Sequence, residues 1–132
     1  MSLAGLCKLK IFPEFVFHNS NPAVFGVKVE GGKLGSGIEL IDNTNREIGK
    51  IKAVQSEGKT VETAESGKEV AISIPGTNFE RQLRETEYLY SNLSEKQFRE
   101  FKENKSLLSS EEISVLQEIA AIKRKHKPTW GV

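Results

Sequence analysis

The sequence has 132 residues, 19 Lys plus Arg against 18 Asp plus Glu, and a formal net charge of +1. That length predicts one compact domain with a core of its own, and the charge balance excludes a polyanion binder that works by bulk charge, while leaving room for a local basic patch. The single Cys7 excludes an internal disulfide and a cysteine-built zinc site, and with only His18 and His126 beside it no metal cluster is expected. No run reaches the ~18 apolar residues of a membrane span. Lys8 and Lys10 interrupt any early apolar stretch, so no secretory leader is expected and the reducing cytosol is the expected compartment. The opening Met1-Ser2-Leu3 reads as an expression remnant.

Turn clusters recur along the first part of the chain: Asn19–Pro22, Gly31-Gly32-Lys33, Asp42–Asn45, Ser56-Glu57-Gly58, Ser66-Gly67 and Pro75–Asn78. Between them lie short β-rich runs. Residues 7–18 alternate through Cys7, Leu9 and Ile11, then give Phe15-Val16-Phe17. Further runs cover 23–29, 38–41, 48–54, 60–63 and 69–74, the last with Val70, Ile72 and Ile74 on one face. Six or seven short strands at this spacing predict a small closed β-barrel, which leaves no open edges. After about residue 90 the pattern changes. Ser94 with Gln97 and Ser109 with Glu112 form capping boxes, predicting helices over about 95–104 and 110–127. The second carries a wide apolar stripe through Ile113, Leu116, Ile119 and Ile122, and Pro128 stops it. The expected fold is mainly β: a barrel over 6–90 followed by two C-terminal α-helices over 91–132 packed on it.

Residues 53–60 loosely match a phosphate-binding loop, but Thr60-Val61-Glu62-Thr63 then reads as a strand, so strand–turn–strand is expected instead. A nucleotide fold also needs a strand ending in a magnesium-binding aspartate, and Asp42 is the only aspartate in the sequence. Cys7 reads as core, His18 as a strand-end surface residue and His126 as part of a basic cluster, so no nucleophilic triad is assembled. No catalytic residue and no metal ligand is assigned. Lys50, Lys52, Lys59 and Lys68 lie around two turns and are expected to face outward, either as solvated lysines or as a face for nucleic acid. Trp130 and the run Lys123–Lys127 are read either as packing on the barrel or as the rim of a groove for an acidic, partly apolar peptide.

The segment Phe25–Leu34 (FGVKVEGGKL), with Gly37, Gly49-Lys50-Ile51 and Val61–Ile74, resembles a translation-factor β-barrel of the elongation factor Tu domain II kind. Ile11–Phe17, Glu87–Tyr90, Glu118–Lys125 and Lys127–Gly131 narrow the resemblance to the C-terminal domain, domain IV, of the archaeal-type translation initiation factor 5B family, a relative of bacterial initiation factor 2. It covers roughly residues 6–132. In this family the GTPase domain, with its GTP and magnesium, lies upstream and is not in this sequence. The chain is therefore expected to be a cytoplasmic, non-enzymatic part of a larger ribosome-dependent GTPase, with no cofactor of its own.

The resemblance implies binding of the acceptor end and methionyl group of initiator methionyl-tRNA on the ribosome during subunit joining. It assigns that role to Gln55, Ser56, Gly58, Lys59, Gly67, Lys68, Glu69, Val70 and Ala71. Lys59 and Lys68 would meet phosphates, Gln55 or Ser56 a base or sugar, and a depression near Val27, Val70 and Ala71 the methionyl chain. Val27 and Val70 stand where the bacterial relative has cysteines, which points to unformylated methionine; Glu80-Arg81-Gln82 replaces a family Gly-Arg-Gln. A second implied partner is the acidic C-terminal tail of initiation factor 1A, held by Leu116, Ile119, Lys123 and Lys127 with Trp130 nearby. The competing reading is a module that binds only such a peptide.

Overall fold

The computed structural model describes residues 5–132, so Met1-Ser2-Leu3 lies outside the described residues. Nine strands run in chain order: β1 Cys7–His18, β2 Ala23–Gly35, β3 Glu39–Asp42, β4 Glu47–Lys50, β5 Ala53–Ser56, β6 Lys59–Val61, β7 Thr63–Glu65, β8 Glu69–Ile74 and, after the short helix α1 Phe79–Gln82, β9 Tyr88–Ser91. Two longer helices follow, α2 Glu95–Glu103 and α3 Ser110–Arg124, with a 3-10 turn at Lys105–Leu107 between them. The strand order is β4-β3-β9-β1-β2-β8-β5-β6, with β7 paired to the far end of β2. This sheet curls into a half-barrel. Among the described residues no ladder joins the end strands β4 and β6, so the closed barrel expected from the strand spacing is met as a curled sheet.

Alternation decides which side chains enter the curl. Cys7, Leu9 and Ile11 of β1, Phe25, Val27 and Val29 of β2, and Val70, Ile72 and Ile74 of β8 all point into one core. Phe25 lies 5.1 Å, centroid to centroid, from Phe79, which α1 delivers from below. Each such buried side chain contributes roughly 1.5–3 kcal/mol. Glu80 is an ordinary helical residue here, with Asn78 capping the turn by accepting from Arg81 N–H at 3.0 Å.

Two expectations change. Gly31-Gly32-Lys33 is not a turn but part of β2, which continues to Gly35 and gains β7 as a third partner. A register shift between Lys8 and Leu9 leaves Glu30 as the extra residue of a bulge, and Gly32 takes φ +81° there. A Cβ on Gly32 would fall 1.9 Å from the Leu6 carbonyl oxygen, so only glycine closes this bulge. The run 48–54 divides into β4 and β5, because Ile51 turns its side chain into the core while the chain bends between the two pairings.

The helices form a second layer on the other face of β9, β1 and β3. Leu6, Ile41, Tyr90 and Leu93 meet Phe98, Phe101, Val115, Leu116, Ile119 and Trp130 there. Gly31 of the bulged strand admits Val115 so closely that a Cβ would come within 2.7 Å of its Cγ2. Both capping boxes form, through Ser94 and Gln97 and through Ser109 and Glu112. Helix α3 ends at Arg124, before the proline, because the chain turns back to seat Trp130 on Phe98 at 4.9 Å. The Glu95 carboxylate holds that turn by accepting the Gly131 N–H at 2.9 Å and pairing with Lys127 at 3.3 Å.

Candidate functional site

On the outer face of the sheet, registers align Phe12 with Gly26, Gly26 with Ala71, and Ala71 with Gln55 across four strands. The two central residues of this row are the smallest, so the row is a trough. Its first wall is aromatic. The run Pro13-Glu14-Phe15 bulges out of the β1–β2 ladder between Phe12 and Val16, where proline has no N–H to give. That bulge lifts Phe15 over Gly26, with Phe12 edge-on to it at 6.1 Å and 90°. A Cβ on Gly26 would stand 3.1 Å from the Phe15 Cβ, so glycine keeps the trough open. Phe15 and Phe17 are 50% and 66% exposed, a large apolar exposure for phenylalanine.

The opposite wall is the β5–β6 hairpin. Glu57 and Gly58 have φ of +52° and +78°, both left-handed, as a two-residue turn of the type favoured by twisted strands requires. The loose phosphate-loop pattern is therefore a hairpin, as its β-branched continuation predicts. Between the walls lies a groove of about 590 Å³, floored by Gly26 and Ala71 and edged by Gln55, Glu57, Gly58 and Glu69. This is the size of a small-ligand site, apolar with a few polar groups at its margin.

The expected tRNA-site residues separate. Gln55, Gly58, Glu69 and Ala71 line the groove. Val27 and Val70 border it, but both are buried with their side chains in the core, so the apolar surface comes from Phe12, Phe15 and Phe17 instead. Ser56 and Lys68 line a neighbouring depression of about 350 Å³. Lys59 and Gly67 are exposed and line neither; the Gly67 N–H is given to the Val29 carbonyl at 2.8 Å. Lys50 lies elsewhere, with Lys33 in a cleft of about 800 Å³ beside the start of α2. The lysines thus do not make one patch, and the only charged residues lining the groove are Glu57 and Glu69. The aromatic wall was the residue set missed in the sequence. Its signal was the loss of alternation after Ile11, where three phenylalanines surround a proline.

The expected peptide site is also rearranged. Leu116, Ile119 and Trp130 are buried in the helical layer. Lys123 donates to Asn92 Oδ1 at 2.5 Å; burial lowers its pKa against the opposing pull of Glu47. Lys127 is paired with Glu95, whose carboxyl is held below its ordinary range first by the Gly131 N–H and then by Lys127. The tail has a cleft of its own. A cleft of about 260 Å³ between α2 and α3 has Phe98, Ile113, Leu116 and Ala120 within it and Lys102, Lys105 and Arg124 around it.

Other chemically capable groups are tied down. Burial pushes the Cys7 thiol up to about 12, so it carries no thiolate at neutral pH. His18 Nδ1 lies 2.7 Å from the Pro22 carbonyl, and His126 Nε2 lies 3.0 Å from that of Thr44.

The residues matched by a family model described as elongation factor Tu domain 4 are 7–90, which contain the whole groove. A probable translation initiation factor IF-2 of Methanoculleus marisnigri is 42% identical over 125 residues, 94% of this chain and 21% of its own length. One from Methanopyrus kandleri is 40% identical over 126 residues, 95% of this chain and 21% of its own. The crystal structure of GDP-bound aIF5B from Aeropyrum pernix superposes with a TM-score of 0.89 at 36% identity, over 96% of this chain and 21% of that one. The chain therefore spans about a fifth of the length of these relatives. A curled β-sheet matched end to end by that family model, with a helical layer matched by the archaeal factors, places this chain in the elongation factor Tu domain 4 family, as the domain IV of IF-2/aIF5B-type translation initiation factors.

Proposed function

We propose that this domain binds, without chemistry of its own, the aminoacylated 3′ end of initiator methionyl-tRNA on the ribosome during subunit joining. The observation that carries the reading is the apolar groove between Phe12, Phe15 and Phe17 and the β5–β6 hairpin, on the face the family resemblance assigns to the tRNA end. A methionyl chain is flexible and apolar and fits an aromatic-walled trough, where thioether–ring contacts are favourable. The half-exposed faces of Phe15 and Phe17 suit stacking of an unpaired terminal base. Gln55 offers an amide to a sugar or base, and Lys59 and Lys68 flank the groove where the phosphates of a single strand would leave it. GTP and magnesium belong, on this reading, to the part of the relatives that this chain does not span, and the cytoplasm is the working compartment.

Titration of charged and deacylated initiator tRNA at two salt concentrations tests it. The charged form binds more tightly, and both weaken with salt. Replacing Phe15 and Phe17 together by serine lowers affinity about tenfold or more, the range of one lost stacking contact. Equal affinity for the two tRNAs would remove the methionyl site from the account.

A second reading is favoured by the α2–α3 cleft, an apolar slot among three cations with no acidic residue lining it. It suits an acidic peptide with an apolar anchor, such as the C-terminal tail of initiation factor 1A. NMR shift mapping separates the two: a tail peptide perturbs residues around 98–124, and charged tRNA perturbs 12–17, 55–58 and 69–71. Shifts from tRNA confined to the helices would leave only the peptide-binding module.

A further inference from the structure

In the row of the sheet next to the groove, two cations face each other. Lys10 of β1 stands directly opposite Lys28 of β2, flanked by the pairs Leu9–Val29 and Ile11–Val27. Those four neighbours point into the core, so both lysines point outward. The row continues to Tyr88 of β9 on one side and to Glu69 of β8 on the other. Like charges set directly opposite across two strands repel, and a carboxylate on a neighbouring strand is the ordinary remedy. That remedy is not used here. Neither Lys10 nor Lys28 forms an ion pair among the described residues. Glu69, opposite Lys28, lines the groove, and Glu30, two positions along β2, lines a depression against α3. Both lysines are half-buried, so part of each aliphatic stem is held against the sheet while the ammonium group reaches water.

The place of this pair is the second observation. Along β1 and β2 it lies one two-residue repeat, about 7 Å, from Phe12 and Gly26, which give the groove its wall and floor. The other lysines of the sheet are placed differently. Lys8 is bonded to Glu118, and Lys33 and Lys50 line the cleft beside α2. Paired cations next to exposed aromatic faces are how single-stranded nucleic acid is held: bases stack on rings and the backbone follows the charge. A phosphate between two ammonium groups relieves their repulsion, and each of its free oxygens accepts from one of them. A lone carboxylate would do the first but leave the rings unused.

We infer that Lys10 and Lys28 together form a phosphate position, which holds the backbone of a nucleic-acid strand directly behind the base in the groove. This rests on the tRNA-end reading above and adds the course of the strand. It leaves the groove over the Lys10–Lys28 row, on the side where Lys8 fastens β1 to α3, with Lys68 beyond Glu69 at the turn before β8.

The test titrates charged and deacylated initiator tRNA over a range of salt. It uses the unaltered chain, Lys10→Gln, Lys28→Gln, their double variant, and a control double variant, Lys33→Gln with Lys50→Gln, which removes the same charge elsewhere. The Lys10/Lys28 double variant is expected to bind both tRNAs about three- to tenfold more weakly, the range of two partly exposed charge contacts. Its slope of log affinity against log salt falls by about one, while the control keeps the slope of the unaltered chain. Its thermal melt does not drop, because the repulsion is gone. An unchanged slope overturns the inference, and so does a control that loses as much, which would mean bulk charge. A loss confined to charged tRNA overturns it too, since a phosphate contact serves both forms alike. A lowered melt with an unchanged slope assigns the two lysines to the fold instead. Each of these leaves the tRNA-end reading standing. Failure of the unaltered chain to bind either tRNA overturns both.

Discussion

The Lys8 ammonium lies 2.9 Å from the Glu118 carboxylate, 110 positions later in the chain, and so fastens the first strand to the last helix. The Tyr88 ring lies 4.5 Å from the same ammonium, and the Tyr90 hydroxyl donates to Glu118 at 3.3 Å. Burial alone would lower the Lys8 pKa, but the Glu118 bond and the tyrosines outweigh it and the net shift is upward. A raised lysine pKa adds stability that is fully present below the unfolded value of about 10.4 and is lost as pH rises through the folded value. Glu118→Gln is expected to cost about 1 kcal/mol at pH 7, a modest figure because both groups are partly in water. Urea unfolding at neutral pH and at about pH 11 checks it: the gap between the two proteins narrows in alkali.

Asp42 gives the opposite pH dependence. Burial pushes its carboxyl up, yet the Thr44 hydroxyl at 2.7 Å, the Arg46 and Thr44 N–H groups at 3.0 and 2.8 Å and the Arg46 guanidinium at 3.1 Å together hold it below the usual carboxylate range. Its stability is present above the unfolded value of about 3.9 and disappears as pH falls through the lower folded value. Asp42→Asn is expected to cost about 1–2 kcal/mol at pH 7 and almost nothing at about pH 2, read by denaturant unfolding across that range.

Gly26→Ala separates binding from stability. The new methyl meets the Phe15 Cβ at 3.1 Å, so the Pro13–Phe15 bulge, whose phenylalanine is half exposed, must give by a few tenths of an ångström. Stability changes by less than about 1 kcal/mol while the floor of the groove rises. Thermal melts are expected to stay close to those of the unaltered chain, while affinity for charged tRNA drops several-fold.

Relief of the strained hairpin makes the reverse separation. Glu57→Asn places a residue tolerant of left-handed backbone at φ +52° and is expected to stabilise the chain by about 0.5–1 kcal/mol. A calorimetric melting temperature raised by a few degrees confirms it; an unchanged or lower one shows that the glutamate is not strained.

The elements whose evidence is local were legible in the sequence. Both helix starts were legible because a serine and a glutamine or glutamate three residues on satisfy each other within one turn. Val70, Ile72 and Ile74 were legible because burial on one face writes itself as alternation. What escaped depends on distant partners. Gly31-Gly32-Lys33 looks like a turn until Leu6 and Val115 are known to press on it. Helix α3 ends early because of Glu95, 36 residues from the Gly131 it holds. Of the expected site residues, Gln55, Gly58, Glu69 and Ala71 line the groove, whereas Val27 and Val70 turn their side chains into the core. Strand phase was readable, yet which phase faces the groove was not, since that depends on the bulge that brings Phe15 across.

Strand β2 serves both layers of the fold, with Gly26 on the floor of the groove and Gly31 under α3. The bulge at Glu30 pins its alignment with β1, and β8 and β7 grip it from the other edge. A strand clamped this way has its register fixed from both edges, so the floor of the groove and the seat of the helical layer are set by one rigid element.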